Sequence, residues 1–158
     1  MHRHIHWKSF ILNLFIPLAV GGLSAFLTQN AMDLYQNIDQ PPLAPPSWLF
    51  PIVWTILYIL MGISTYRIQL SDSNTKTEAL MLYALQLLLN FTWPLIFFLG
   101  QNFLIAFIVL VFLWYAVFQM IQAFYTIDPL AAFLQIPYLV WLTFAGYLNL
   151  MIYFRLFI

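Results

Sequence analysis

The sequence contains no cysteine and very few charged residues. Without cysteine the chain can form no disulfide and has neither a thiol nucleophile nor a thiolate metal site. Only 6% of its 158 residues are charged, and 64% are hydrophobic. In an average soluble domain about a quarter of the residues are charged. A chain with so little charge is expected to lie in a lipid bilayer.

The few charges leave four long uncharged segments, residues 9–32, 40–66, 79–127 and 129–154. A membrane-spanning helix needs about 20 apolar residues, so the third segment has room for two helices, separated at the sequence GQN. The sequence therefore predicts an all-α integral membrane protein, a five-transmembrane-helix bundle that forms a single domain over residues 1–158. The predicted helices cover approximately residues 10–29, 48–68, 79–99, 103–124 and 130–154.

A proline-rich loop, residues 30–47, is predicted between the first two helices. Its sequence QPPLAPPSW, residues 40–48, contains four prolines, which prevent a helix and favour a stiff, extended chain. Of the five Lys and Arg residues only Arg155 lies on the same side of the predicted bundle as this loop. The positive-inside rule therefore places the N-terminus inside and the loop outside.

No Asp, Glu, Lys, Arg or His lies clearly inside a predicted span. Ionisable groups at membrane depth are costly and mark pumps and proton relays. Their absence argues against an ion-coupled pump, a small multidrug exporter and a haem cytochrome with paired histidine ligands. The sequence also has no Ser–His–acid set and no phosphate-binding glycine loop. We interpret His2, His4 and His6 as part of a solvated tail and predict no metal site.

Neutral polar and aromatic residues share faces of the predicted helices, because they recur at helical spacing. Two interpretations remain open. The amides and rings either hold the helices together or line a cavity for a bound molecule. The first helix contributes a face of small residues and the others contribute polar and aromatic stripes: Pro17, Gly21, Ser24 and Thr28; Trp54, Tyr58 and Met61; Gln86, Asn90, Trp93 and Phe97; Tyr138, Trp141, Ala145 and Leu148.

Four stretches of the sequence together resemble one known family. The most specific are LYALQLLLNFTWPLIFF, residues 82–98, and PLAAFLQIPYLVWLTFAGYLN, residues 129–149, because order, spacing and rare residues agree. The others are Tyr35 followed by QPPLAPP, and WLFPIVWTILYILMG, residues 48–62. Over nearly its whole length the chain resembles the TspO/MBR family. These tryptophan-rich sensory proteins include the mitochondrial translocator protein, or peripheral benzodiazepine receptor.

The resemblance implies a five-helix bundle, often dimeric, with a pocket beneath the first loop, which would serve as its lid. In the family this pocket binds tetrapyrroles such as protoporphyrin IX or haem, benzodiazepine-like synthetic ligands and, in some members, sterols. Leu148, Tyr153 and Arg155 satisfy a loose sterol-contact pattern, and the end of the fifth helix resembles the sterol-contact region of the family. With the helix faces above, the predicted ligand-binding residues are Trp54, Tyr58, Asn90, Trp93, Tyr138, Trp141, Ala145 and Leu148.

The loop departs from the family pattern, since Gln40 replaces the usual lysine and Leu43 the usual tryptophan. The leading prediction is a membrane receptor or sensor for flat hydrophobic molecules, above all porphyrins. Three alternatives remain. The first is a porphyrin or sterol transporter, and the second is a light-dependent porphyrin-degrading enzyme with Trp54 and Trp141 as electron donors. The third is a structural or assembly role in which weak ligand binding is incidental.

We predict no other catalytic residue and no obligatory cofactor beyond a porphyrin as ligand. The expected partners are hydrophobic small molecules, membrane lipid and a second copy of the chain in a homodimer, without nucleic acid. The expected location is a bacterial cell membrane, or the outer mitochondrial membrane in a eukaryote.

Overall fold

The structure, a computed structural model, describes residues 6–158 with the exception of the Leu34 side chain, so His2 and His4 lie outside the described residues. Five helical segments of this part are long and apolar enough to cross a membrane. The predicted all-α membrane bundle is confirmed. The helices are α1 (Trp7–Thr28), α2 (Met32–Asn37), α3 (Leu49–Gln69), α4 (Lys76–Pro94), α5 (Phe103–Ile127), α6 (Pro129–Phe133) and α7 (Ile136–Phe157).

The spanning helices form two closely packed groups that meet in one apolar core. Helix α1 packs along α3, and α5 packs along both α4 and α7. Met61 of α3 and Val117, Met120 and Phe124 of α5 are fully buried where the groups meet. The lipid-facing sides of the same helices carry exposed aliphatic and aromatic residues, as a bilayer requires.

Polar contacts close the end of the bundle opposite the proline-rich loop. Arg67 at the end of α3 forms a salt bridge with Asp128 at 2.8 Å. The Ser64 hydroxyl donates a hydrogen bond to the Ala131 carbonyl at 2.7 Å, and the Gln135 amide donates one to the Leu60 carbonyl at 3.2 Å. These bonds join α3 to α6 and to the start of α7, so several independent polar contacts stabilise this end.

Two glycines allow close approach between α1 and α3, a common role of small residues in membrane helices. A Cβ atom added to Gly62 would lie 2.7 Å from the backbone oxygen of Asn13, and one added to Gly21 would lie 2.1 Å from the Tyr58 ring. The neighbouring Gly22 has no atom within 4 Å of such a Cβ. The glycines at 21 and 62 therefore set the separation of the two helices.

Prolines shape the ends of α4 and α7. After Pro94, which lacks a backbone donor, the chain continues as a π-helical turn, Leu95–Leu99, in which Gly100 donates to the Leu95 carbonyl at 3.0 Å. Residues 130–154, predicted as one helix, instead form α6 and α7 with a turn between them. Pro137 lies in the first turn of α7, where a missing N–H group costs little.

The segment predicted as an irregular loop, residues 30–47, contains the short helix α2. Tyr35 and Ile38 are buried there against Phe97, Phe103 and Ile152 at the ends of three spanning helices. Sequence reasoning missed this helix because the adjacent prolines dominate the local pattern. The segment is thus a packed cover over the bundle end.

Candidate ligand-binding site

A cavity of about 310 Å³ lies at the loop end of the bundle, between α1, α3, α4 and α7. Its volume is at the lower end of the range of about 300–1,000 Å³ usual for small-molecule sites. Apolar and aromatic side chains make up most of its wall. The lining residues are Gly21, Ser24, Ala25, Thr28, Gln29, Met32, Tyr35, Phe50, Pro51, Trp54, Tyr58, Asn90, Trp93, Pro94, Phe97, Phe98, Ala145, Leu148, Asn149 and Ile152.

A chain of buried hydrogen bonds crosses the bottom of the cavity. The Tyr58 hydroxyl donates to Asn90 Oδ1 at 2.8 Å, and Asn90 Nδ2 donates to the Tyr138 hydroxyl at 2.7 Å. Tyr138 in turn donates to Gln86 Oε1 at 2.8 Å. The chain links α3, α4 and α7, so Asn90 both holds helices together and lines the cavity. Gln86 is fully buried and does not line the cavity.

Two tryptophans form fixed walls of the cavity. Trp54 stacks on Tyr58 with ring centroids 5.5 Å apart. The Trp93 indole donates to Asn149 Oδ1 at 3.0 Å, and Asn149 Nδ2 donates to the Phe103 carbonyl at 2.8 Å. Because its only donor is used within the protein, Trp93 presents an apolar ring surface to the cavity.

The proline-rich segment forms the roof of the cavity. Tyr35 and Met32 line the cavity from this side. The Gln40 side-chain amide donates to the Tyr35 carbonyl, so the residue that replaces the family lysine binds within the segment itself. The Tyr35 hydroxyl is buried without a hydrogen-bond partner, and burial raises the pKa of this group. Tyr35 therefore stays protonated at neutral pH.

Most of the predicted ligand-binding residues line the cavity: Trp54, Tyr58, Asn90, Trp93, Ala145 and Leu148. The other two, Tyr138 and Trp141, do not line the cavity and instead contact residues that do. Tyr138 is buried and packs edge-on against Trp54 at 6.1 Å. Trp141 packs edge-on against the lining residue Phe50 at 5.8 Å. Both support lining residues in this structure.

The three residues of the sterol-contact candidate make different contacts. Leu148 is buried on the cavity wall. Tyr153 stacks on Phe157 with ring centroids 5.4 Å apart. Arg155 instead binds Asp39 of the proline-rich segment.

Sequence reasoning recognised only part of the cavity wall. The small-residue face of the first helix does line it at Gly21, Ser24 and Thr28, whereas Pro17 does not. Asn149 and Ile152 were missed, although they follow Ala145 at i+4 and i+7 and so continue its face. Phe97, which shares the face of Asn90 and Trp93, also lines the cavity. Further lining residues that the sequence did not single out for ligand binding include Met32 and Tyr35 in the roof and Phe98 in the π-turn.

These features define a class of protein: a five-helix integral membrane protein with an apolar, aromatic-walled cavity beneath a packed loop. Comparison with known proteins agrees with this class, because residues 13–155 match the TspO/MBR family. The chain belongs to the TspO/MBR family, as the sequence motifs predicted.

Three relatives illustrate the extent of the similarity. The tryptophan-rich protein TspO of Chlorobaculum tepidum is 35% identical over 152 residues, covering 94% of this chain and 95% of that protein. The tryptophan-rich sensory protein of Cereibacter sphaeroides is 39% identical over 147 residues, covering 92% and 90%. The translocator protein of Bos taurus is 35% identical over 138 residues, covering 85% and 82%. The similarity thus extends from bacterial to animal membrane proteins.

Proposed function

We propose that the protein is a membrane receptor or sensor whose cavity binds flat hydrophobic molecules, above all porphyrins. The observation that carries this proposal is the apolar cavity with Trp54 and Trp93 as rigid walls. Aromatic pairs contribute about 0.5–1.5 kcal/mol beyond the burial of their area. A ligand that offers large ring faces and few polar groups matches such walls best.

The polar groups around the cavity support the same class of ligand. Hydrogen bonds to other protein groups already engage the side chains of Asn90, Tyr58 and Asn149. A ligand can therefore bind without forming many hydrogen bonds of its own. Buried donors or acceptors left without a partner would weaken binding. Binding would depend mainly on stacking and on burial of apolar surface.

The alternatives drawn from the sequence find less support. Light-driven porphyrin oxidation with Trp54 and Trp141 as donors requires both indoles beside the ligand. Of these two only Trp54 lines the cavity, whereas Trp141 packs against Phe50. Transport has no separate structural feature in its favour. The homodimer implied by the family resemblance stays a prediction.

Replacement of Trp54 by leucine tests the proposal directly. We expect wild-type protein in detergent micelles to shift the main absorption band of protoporphyrin IX saturably. Trp54→Leu should weaken binding about tenfold, equivalent to about 1.4 kcal/mol, because it removes one aromatic wall. The porphyrin absorbance is measured so that the loss of an indole does not affect the signal.

Trp114→Leu is the matched control for this experiment. Trp114 stacks on Phe118 on α5 and does not line the cavity. Its replacement should leave the affinity unchanged. Equal shifts with wild type, both variants and empty micelles would contradict specific porphyrin binding.

Asn149→Leu tests whether the orientation of Trp93 matters for binding. The substitution removes the acceptor of the Trp93 indole and the donor to the Phe103 carbonyl. We expect porphyrin affinity to fall about three- to tenfold, about 0.6–1.4 kcal/mol, because the indole loses its fixed position. The same absorbance titration measures this change.

Thr143→Val is the control, since Thr143 accepts a hydrogen bond from the Trp114 indole at 2.8 Å, outside the cavity. Thr143→Val removes the same kind of hydrogen bond, one donated by an indole. This variant should bind porphyrin with the affinity of the wild type. A loss of affinity in both variants would show a general packing effect and would count against a specific role of Asn149.

A further inference from the structure

The proline-rich roof is tied to α7 at its loop end. Arg155 Nη1 donates to Asp39 Oδ2 and, at 3.0 Å, to the Gln40 carbonyl. The Tyr147 hydroxyl donates to the Pro42 carbonyl at 3.0 Å. Gln40 also binds the Tyr35 carbonyl through its side chain. The arginine is thus connected through Gln40 to a residue that lines the cavity.

Arg155 lies at a different end of the bundle from the other cationic residues that the structure describes. Within residues 6–158 it is the only lysine or arginine at the loop end, since Lys8, Arg67 and Lys76 lie at the opposite end. It follows Ile152, a lining residue, by three positions and so lies on the same side of α7, one turn beyond the cavity wall. Any acidic group of a ligand in the cavity would find its nearest arginine or lysine here.

The Asp39 carboxylate that pairs with Arg155 can be replaced by another carboxylate. The Asp39 side chain is 87% exposed. Exposed ion pairs contribute little to stability, because water and salt screen both charges. A guanidinium group binds carboxylates in a two-pronged geometry, so another carboxylate can take the place of Asp39 at small cost.

The position of the roof gives a reason for such exchange. Tyr35 and Met32 of the roof line the cavity, so a large ligand that fills the cavity contacts the roof directly. Release of Asp39 and Gln40 from Arg155 would loosen the roof where it meets α7.

We propose that Arg155 is a carboxylate-recognition residue and the latch of the roof. A flat hydrophobic ligand with a carboxylate at its edge replaces Asp39 at the guanidinium, and the roof is released as the ligand enters. This inference rests on the proposed function and adds to it the chemical class of the ligand: an acidic ring system in preference to a neutral one.

Protoporphyrin IX and its dimethyl ester test the proposal, because they share the ring and differ in the carboxylates. We expect the wild type to bind the diacid at least fivefold more tightly than the ester. Arg155→Gln should abolish this preference by weakening diacid binding, while ester binding stays equal or becomes tighter. Asp39→Asn should strengthen diacid binding about threefold, because it removes the competing carboxylate.

Lys8→Gln provides the control, since Lys8 is an exposed cation at the opposite end of the bundle. It should leave the diacid preference unchanged. A full preference in Arg155→Gln, with the ester still bound, would overturn the latch and leave the proposed function standing. If the wild type binds neither compound above the level of empty micelles, the latch and the proposed function both fail.

Discussion

Gly62→Ala is expected to lower the unfolding temperature of the protein by about 2–12 °C. The added methyl group would lie 2.7 Å from the Asn13 carbonyl oxygen and 2.8 Å from the Leu14 Cα atom, so the α1 backbone itself must move. Overpacking of this kind typically costs about 1–3 kcal/mol, and each kcal/mol shifts Tm by about 2–4 °C in a chain of this size. Thermal unfolding in detergent, followed by circular dichroism, measures the change.

Gly22→Ala is the matched control, because a Cβ atom there has no neighbour within 4 Å. Alanine is the better helix former by about 0.8–1.0 kcal/mol, so this variant should be as stable as the wild type or slightly more stable. Equal stability of Gly62→Ala and Gly22→Ala would show that α1 and α3 are not in close contact at Gly62.

Gly21→Ala is expected to reduce porphyrin affinity at least tenfold while the helices stay folded. The new Cβ would lie 2.1 Å from Cε2 of the Tyr58 ring. The ring must then swing away from Asn90, to which its hydroxyl donates at 2.8 Å, or into the cavity. Either movement reshapes the cavity bottom, and a tenfold loss corresponds to about 1.4 kcal/mol.

Absorbance titration with protoporphyrin IX, together with the far-ultraviolet circular dichroism of the unliganded protein, separates lost binding from lost folding. Gly22→Ala, one residue further along α1, again serves as control and should bind like the wild type. Unchanged affinity of Gly21→Ala, with helical content retained, would mean that the position of Tyr58 does not matter for the ligand.

The two ends of the bundle differ in a way that suits a binding protein. At one end the Arg67–Asp128 salt bridge and the Ser64 hydroxyl join α3 to α6 and the segment before it. At the other end the roof is tied to α7 mainly through exposed groups, Arg155 and Asp39 among them. Exposed ion pairs contribute little to stability, so these polar contacts resist movement less than the contacts at the opposite end. Movement is therefore expected at the cavity end and stability at the opposite end.

Much of the cavity wall could be predicted from helical spacing. Asn90 and Trp93 share a face of α4, and both line the cavity together with Trp54 of α3. The same reasoning grouped Trp141 with Ala145, and it could not show that Trp141 lies behind Phe50. Spacing says which residues share a face, and the rotation of each helix against its neighbours decides which part of that face meets the cavity.

Hydropathy, charge and motifs were enough to predict the class of the protein, the number of spanning helices and the family. Hydropathy and helical period are local properties, so they can be read along one segment at a time. The packing of the folded chain was needed to see how α2 covers the cavity, how the π-turn after Pro94 positions Phe97, and that Arg155 pairs with Asp39, 116 residues away. Such contacts depend on how distant segments pack, and the local pattern of either segment does not contain that information.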